Sequence, residues 1–130
     1  MLDAYAVTAL LADEPGAARV QDALRTAKQA GSLLPISAVN WCEVVYVARR
    51  ATSHGVVSRV VARLDELPLG VVDVDRELAI YAAIIKAEHG LGLGDAFAAA
   101  LALRLDVPLM TGDPDFLPLR DAGLELEWLG

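Results

Sequence analysis

The segment PLMTGDPDFLPL, residues 108–119, ends a short apolar run with two carboxylates, Asp113 and Asp115, around a proline. Gly, Asp and Pro favour turns, and a turn is one reading of this pair. Three further acids stand beside apolar segments: Asp3 after Met1-Leu2, Glu43 inside VNWCEVVYV, and Asp95 before AFAAALALRL. Asp3 and Asp95 have the local character of helix N-caps. Glu43 has no such reading, because Val39, Trp41, Cys42, Val44, Val45, Tyr46 and Val47 leave its helix little polar face. No Lys or Arg stands three or four residues before it. A carboxylate buried alone costs several kcal/mol and needs a cation, a proton or hydrogen-bond donors. A site at the start of that helix, near Ser37 and Asn40, would relieve it. Gathered together, such acids repel, and one or more stays protonated unless a divalent cation lies among them. Oxygen ligands without organised His or Cys favour Mg²⁺ or Mn²⁺ over zinc. His54 and His89 lie in unrelated contexts and read as surface or capping residues.

The elements that would position these acids follow from periodicity and breakers. Ala4–Ala12 is a short Ala/Leu-rich helix that Asp3 can cap, ended by Asp13-Glu14-Pro15-Gly16. Over Ala17–Ala30, Val20, Ala23, Leu24 and Ala27 form a helical stripe, and Gly31 closes it. Leu33–Ile36 reads as a short buried strand, followed by Ser37 and a mostly apolar helix over Ala38–Ala51. A further helix spans about Val57–Leu67, with Arg59 and Arg63 one turn apart and Pro68 as its stop. Gly70–Val74 is a strand and Asp75–Glu88 a helix, with His89-Gly90 as its C-terminal signal. Leu91–Gly94 is a loop from which Asp95 opens the next helix. The strand of the opening segment, a helical turn near Phe116 and a last strand over Leu124–Leu129 complete the chain. Apolar strands alternating with helices imply parallel β-α units: one domain, residues 1–130, an α/β fold. In such sheets sites lie beyond the carboxyl ends of the strands. Asp3 follows the first strand, Glu43 lies in the helix after the second, and Asp113 follows a later strand. The four acids therefore have one place to meet.

These residues carry a family resemblance. MLDAYAVTALLADEPGA, ISAVNWCEVVYVARR, LGLGDAFAAALALRLDVPLMTGDPDF and LELEWL resemble, in order and from end to end, the PIN-domain family, most closely VapC-like toxins of toxin–antitoxin pairs. The resemblance implies a three-layer α/β/α sandwich around a mostly parallel sheet of about five strands. It implies a Mg²⁺- or Mn²⁺-dependent endoribonuclease whose metal-binding, catalytic acids fall on Asp3, Glu43, Asp95 and Asp113. Ser37 and Thr111 match the family's small hydroxyl positions, and Asp115 an additional acid that only some members have. Asp115 is therefore read as a turn or supporting residue, like Asn40. In one departure, the family's first strand has several apolar residues before its Asp, whereas here only Met1 and Leu2 precede Asp3. Related toxins dimerise and are silenced by an antitoxin, so a homodimer and a VapB-like antitoxin are the implied partners beside an RNA substrate. A non-catalytic PIN-like module that binds RNA or protein is the alternative. A receiver domain is disfavoured, lacking paired acids after the first strand and a lysine after the last. A phosphatase with an Asp-x-Asp nucleophile is disfavoured because residues 3–5 read Asp-Ala-Tyr.

Composition narrows the partners. The net charge of −7 argues against indiscriminate nucleic-acid binding, but it is unevenly spread. Residues 16–64 carry seven Arg or Lys against Asp22 and Glu43, whereas residues 65–130 carry four against thirteen acids. A polarised chain can present a local basic surface to a polyanion. Arg49, Arg50, Arg59 and Arg63 are the candidate RNA contacts. No apolar run approaches the ~20 residues of a membrane span. MLDAY has no basic region leading into an apolar one, so a signal peptide is not expected. Cys42, the only cysteine, reads as a buried thiol in a cytoplasmic protein.

Overall fold

In a computed structural model, which describes residues 1–51 and 56–130, the periodic segments form the helices expected of them. Helix α1 spans Ala4–Leu11, α2 Ala17–Gln29, α3 Ala38–Ala51, α4 Val56–Asp65, α5 Arg76–His89 and α6 Leu93–Leu105. A 3₁₀ helix covers Pro114–Ala122, longer than the single turn expected near Phe116. Four strands lie between them: β1 Leu34–Ser37, β2 Leu69–Val72, β3 Leu109–Thr111 and β4 Leu126–Trp128. The expected strands at Gly70–Val74 and Leu124–Leu129 are thus shorter than their apolar runs. His54 lies outside the described residues, and His89 is the last residue of α5, before a left-handed Gly90.

Among the described residues the strands form two parallel pairs, β1 with β2 and β3 with β4, rather than a continuous five-stranded sheet. Met1-Leu2 lies between the pairs. Leu2 bridges Met110 in parallel, its N–H donates to the Pro35 carbonyl (2.9 Å), and the Met110 N–H donates to the Met1 carbonyl (2.9 Å). The two residues before Asp3 thus hydrogen-bond to neighbours on both sides.

Successive residues along these segments enter different cores. Met1 and Leu109 join one apolar cluster with α5, α6 and the 3₁₀ helix, while Leu2 and Met110 join another with α1, α2 and α3. Side chains of an extended chain alternate in direction, so apolar residues on both sides mark backbone covered on both faces. Helix α6 is apolar all round, with Ala96, Ala98, Ala99, Ala100 and Leu101 fully buried. That is the pattern of a central helix, and the small alanines allow close approach on every side. Its first turn starts two residues earlier than expected. Asp95 is the third residue of α6, not its cap, which is Gly92.

Candidate active site

Polar side chains are expensive to bury, so their location is informative. Among the described residues the buried polar side chains are Asp3, Ser37, Asn40 and Thr111. Ser37 ends β1, Thr111 ends β3, and Asp3 follows Leu2, so three of the four stand at the carboxyl ends of parallel segments. Each has partners. The Asp3 carboxylate caps α1 by accepting the Ala6 N–H (2.8 Å), and the Thr111 side chain hydrogen-bonds to it as well. The Thr111 hydroxyl oxygen also accepts the Asp113 N–H (3.1 Å), so one small residue links two acids.

Asn40 organises the other side. Ser37 Oγ accepts the Asn40 N–H (3.0 Å) and donates to Asn40 Oδ1 (2.6 Å). Asn40 Nδ2 then donates to Glu43 Oε2 (3.2 Å) and to the Gly94 carbonyl (3.1 Å). These bonds supply the donors that Glu43 lacks from any nearby cation, and they tie α3 to the start of α6. Gly94 also has a steric role that the sequence did not reveal. A Cβ at Gly94 would stand 1.7 Å from Glu43 Oε1, so the carboxylate occupies the space a side chain would need. Gly112 is used similarly, since a Cβ there would meet the Tyr5 ring at 2.4 Å.

Asp3, Glu43, Asp95 and Asp113 line one pocket of about 400 Å³, together with Tyr5, Tyr46 and Glu14. Glu14 comes from the turn after α1, where sequence alone offered only a helix stop. Asp115 stands closer to the acids than its turn reading suggested: oxygens of Asp95, Asp113 and Asp115 all lie within 4.8 Å of one another. Its N–H donates to Asp113 Oδ1 (2.9 Å), which folds the Gly-Asp-Pro-Asp turn back toward α6. The crowding changes the chemistry of the acids. Burial pushes Asp3 up to about 7, and the charges of Asp95 and Asp113 add to this against its hydrogen bonds. Burial also raises Asp95 to about 6, reinforced by Asp113, Glu43 and Asp115. Among the described residues every charged group lining the pocket is a carboxylate, and no His or Cys contributes. That donor set suits a hard divalent cation, whose charge would offset the repulsion.

The basic residues are arranged differently. Arg59 and Arg63 border a second, mainly apolar pocket of about 330 Å³ between α1, α3 and α4, which shares Thr8 and Val47 with the acidic one. The Arg50 guanidinium lies 5.7 Å from the centre of the Tyr46 ring, and Tyr46 lines the acidic pocket. Arg49 is an exposed residue of the last turn of α3. Cys42 is exposed rather than buried, because α3 packs through Val44 and Asn40 and turns Cys42 outward.

Short parallel strands with helices packed around them, and carboxylates gathered where those strands end, define an α/β domain with an acidic cleft. The chain belongs to the PIN domain family, whose model matches residues 1–121. Solved structures share the fold. A chain of the DNA-bound VapBC from Salmonella typhimurium matches with a TM-score of 0.76 and 20% identity, over 100% of this chain and 97% of that one. A chain of VapBC2 from Rickettsia felis, bound to a fragment of promoter DNA, matches at 0.75 and 16%, over 100% and 98%. A toxin–antitoxin complex from Klebsiella pneumoniae matches at 0.66 and 21%, over 89% and 88%. No curated protein matches the chain by sequence.

Proposed function

We propose that this PIN domain is a divalent-metal-dependent endoribonuclease and the toxin of a toxin–antitoxin pair, with a VapB-like antitoxin as its partner. The observation that carries the reading is the convergence of Asp3, Glu43, Asp95 and Asp113 on one pocket whose charged lining, among the described residues, is wholly acidic. In this reading those four acids hold Mg²⁺ or Mn²⁺, and Asp115 joins them through its proximity to Asp95 and Asp113. Bound there, the cation would neutralise charge at the scissile phosphate and acidify a coordinated water. The chain's own residues do the positioning. Thr111 fixes Asp3 and the backbone of Asp113, Asn40 fixes Glu43, and Gly94 leaves room for it. Tyr46, 58% exposed and stacked with Arg50, offers an aromatic face at the pocket, which suits unpaired bases. Arg49, Arg59 and Arg63 extend positive charge along α3 and α4 for the RNA backbone. Among the described residues no helix is long and apolar enough to cross a membrane. A cytoplasmic location, where a cell's own RNA would be the target, is part of the proposal.

The test is cleavage of single-stranded and structured RNA in Mg²⁺, Mn²⁺ or EDTA, comparing wild type with Asp95→Asn. Metal-dependent cleavage that the variant loses supports the reading. Cleavage that persists in EDTA, or an Asp95→Asn variant as active as wild type, overturns it. Tight RNA binding without cleavage in either metal assigns the chain to the non-catalytic alternative.

A further inference from the structure

The acidic pocket lacks more than positive charge for an anionic substrate. Ionised carboxylates accept hydrogen bonds and donate none, and the same holds for the oxygens of a phosphodiester. A phosphate brought beside Asp3, Glu43, Asp95 and Asp113 therefore needs donors from elsewhere in the lining. Among the described residues that lining offers three side-chain donors, the hydroxyls of Tyr5, Thr8 and Tyr46. Tyr46 is 58% exposed and has its ring engaged by Arg50. Thr8 also borders the apolar pocket beside α3 and α4. Tyr5, by contrast, is seated beside the strand ends.

That seat is built from two directions. Asp3 caps α1 through the Ala6 N–H, which places Tyr5 in the first turn of the helix, two residues after the deeply buried acid. On the other side the ring rests over the backbone between Thr111 and Asp113. A Cβ at Gly112 would stand 2.6 Å from Cζ and 2.8 Å from Oη of Tyr5, so a side chain there would displace the hydroxyl. Gly112 does not have the positive φ of Gly16, Gly31, Gly90 and Gly123, so a left-handed backbone is not the reason for a glycine. The space it leaves is filled by the phenol. The hydroxyl thus lies between the segments that carry Asp3 and Asp113, on a residue that is 39% exposed. It has no hydrogen-bond partner among the described residues. A donor on a ring already held in place loses little freedom when a ligand binds, which favours its use.

We infer that Tyr5 is a substrate-contact residue, whose hydroxyl donates to a non-bridging oxygen of the phosphate to be cleaved and whose ring is held for that purpose over Gly112. The inference rests on the nuclease reading and assigns a role within it that the four acids cannot fill. A hydrogen bond to a charged acceptor corresponds to about 10–100-fold in an equilibrium or rate constant.

Tyr5→Phe keeps the ring and removes the donor. Its kcat/KM for a single-stranded RNA in Mn²⁺ should fall about 10–100-fold, while Mn²⁺ affinity by calorimetry and the melting temperature match wild type. Sulfur in place of one non-bridging oxygen, at the phosphate that wild type cuts, weakens the acceptor. On the diastereomer whose sulfur faces Tyr5, wild type and Tyr5→Phe should therefore cleave within about threefold of each other, whereas the other diastereomer keeps the full difference. Gly112→Ala should carry a defect of similar size, and adding Tyr5→Phe to it should cost less than about threefold more. Wild-type cleavage with Tyr5→Phe within about twofold of it overturns the inference and leaves the nuclease reading standing; if Tyr5→Ala is then defective, the ring and not the hydroxyl is what the site uses. A Tyr5→Phe variant that loses Mn²⁺ affinity, or shows equal deficits on both diastereomers, also overturns it. A wild type that cleaves no RNA in Mg²⁺ or Mn²⁺ removes the nuclease reading itself, and the inference with it.

Discussion

Substituting Gly94 with Ala separates the geometry of the acidic pocket from the stability of the fold. Gly94 lies in the first turn of α6 at ordinary helical backbone angles, where Ala is the better residue by about 0.5–1 kcal/mol. On backbone grounds the substitution should stabilise the protein. The obstacle is Glu43. The new Cβ would stand 1.7 Å from Oε1, 2.4 Å from Cδ and 2.7 Å from Oε2, whereas ordinary contact begins at 3.4 Å. The nearest oxygen must therefore retreat by about 1.7 Å, the difference between those two distances. Glu43 is only half-buried and has three rotatable bonds, so it can swing into the open pocket rather than strain the helices. What it cannot keep is the 3.2 Å hydrogen bond from Asn40 or its place opposite Asp95. The helix gain and the lost bond nearly cancel in stability, while the site loses an acid.

A displacement above 1 Å in a catalytic group costs about 10²-fold in rate. Loss of a contact that orients a ligand, here the hydrogen bond from Asn40 to Glu43, costs about 10–100-fold in metal affinity. The expected result for Gly94→Ala is thus a melting temperature within a few degrees of wild type, Mn²⁺ affinity reduced by that factor in calorimetric titration, and RNA cleavage down about 10²-fold. Adding Glu43→Asp shortens the acid by one methylene and relieves the clash. The pair should bind Mn²⁺ more tightly than Gly94→Ala alone, although Glu43→Asp by itself weakens binding. That sign reversal is the signature of a steric contact between neighbours. A Gly94→Ala protein that binds Mn²⁺ and cleaves RNA within threefold of wild type would refute the reasoning.

Three other expectations follow from the same site. Asn40→Ala leaves Glu43 and the Gly94 carbonyl without their shared buried donor and should cost about 2–4 kcal/mol in denaturant unfolding; a loss below about 0.5 kcal/mol would show that water replaces it freely. Asp3 is raised from 3.8 to about 7, so its penalty is absent below pH 4, grows as pH rises and is complete above about 7; metal-free Asp3→Asn should therefore melt above wild type at pH 8 but not at pH 4, and the opposite order would contradict the assignment. Arg49→Ala/Arg50→Ala should weaken RNA binding and flatten its dependence on salt, and an unchanged salt slope would remove both residues from the RNA face.

The helices were legible in the sequence where period and punctuation agreed. Residues Ala38–Ala51 form the helix at the expected bounds, since Ser37 begins it with its side chain and no breaker interrupts it. The strands were harder because a strand needs a partner: the apolar run Gly70–Val74 keeps strand geometry only to Val72, where its pairing with Ser37 ends. Cys42 shows the same limit in a helix. A segment apolar on every side does not say which side packs, and Val44 is buried while Cys42, two residues away, is not. Gly94 was invisible for a related reason. Its missing side chain matters only against Glu43, fifty-one positions earlier, and nothing local marks that approach.

The acids themselves were legible as a set but not in rank. Asp113 and Asp115 differ by two positions, yet one caps the 3₁₀ helix and lines the pocket while the other stands at its exposed rim. Asp3 looked like the least secure of the set, preceded by only two apolar residues, and it is the most deeply buried. The two facts have one cause. Met1-Leu2 hydrogen-bonds to segments on both sides, so the short lead carries Asp3 into the interior instead of leaving it at an edge. Once there, the carboxylate is held by Thr111 and Ala6, which oppose its rise toward neutrality without abolishing it. A chain selected for stability alone would do better with Asn at that position. Keeping the acid, and crowding Asp95 beside Asp113, makes sense where a positive charge completes the pocket and turns mutual repulsion into shared attraction.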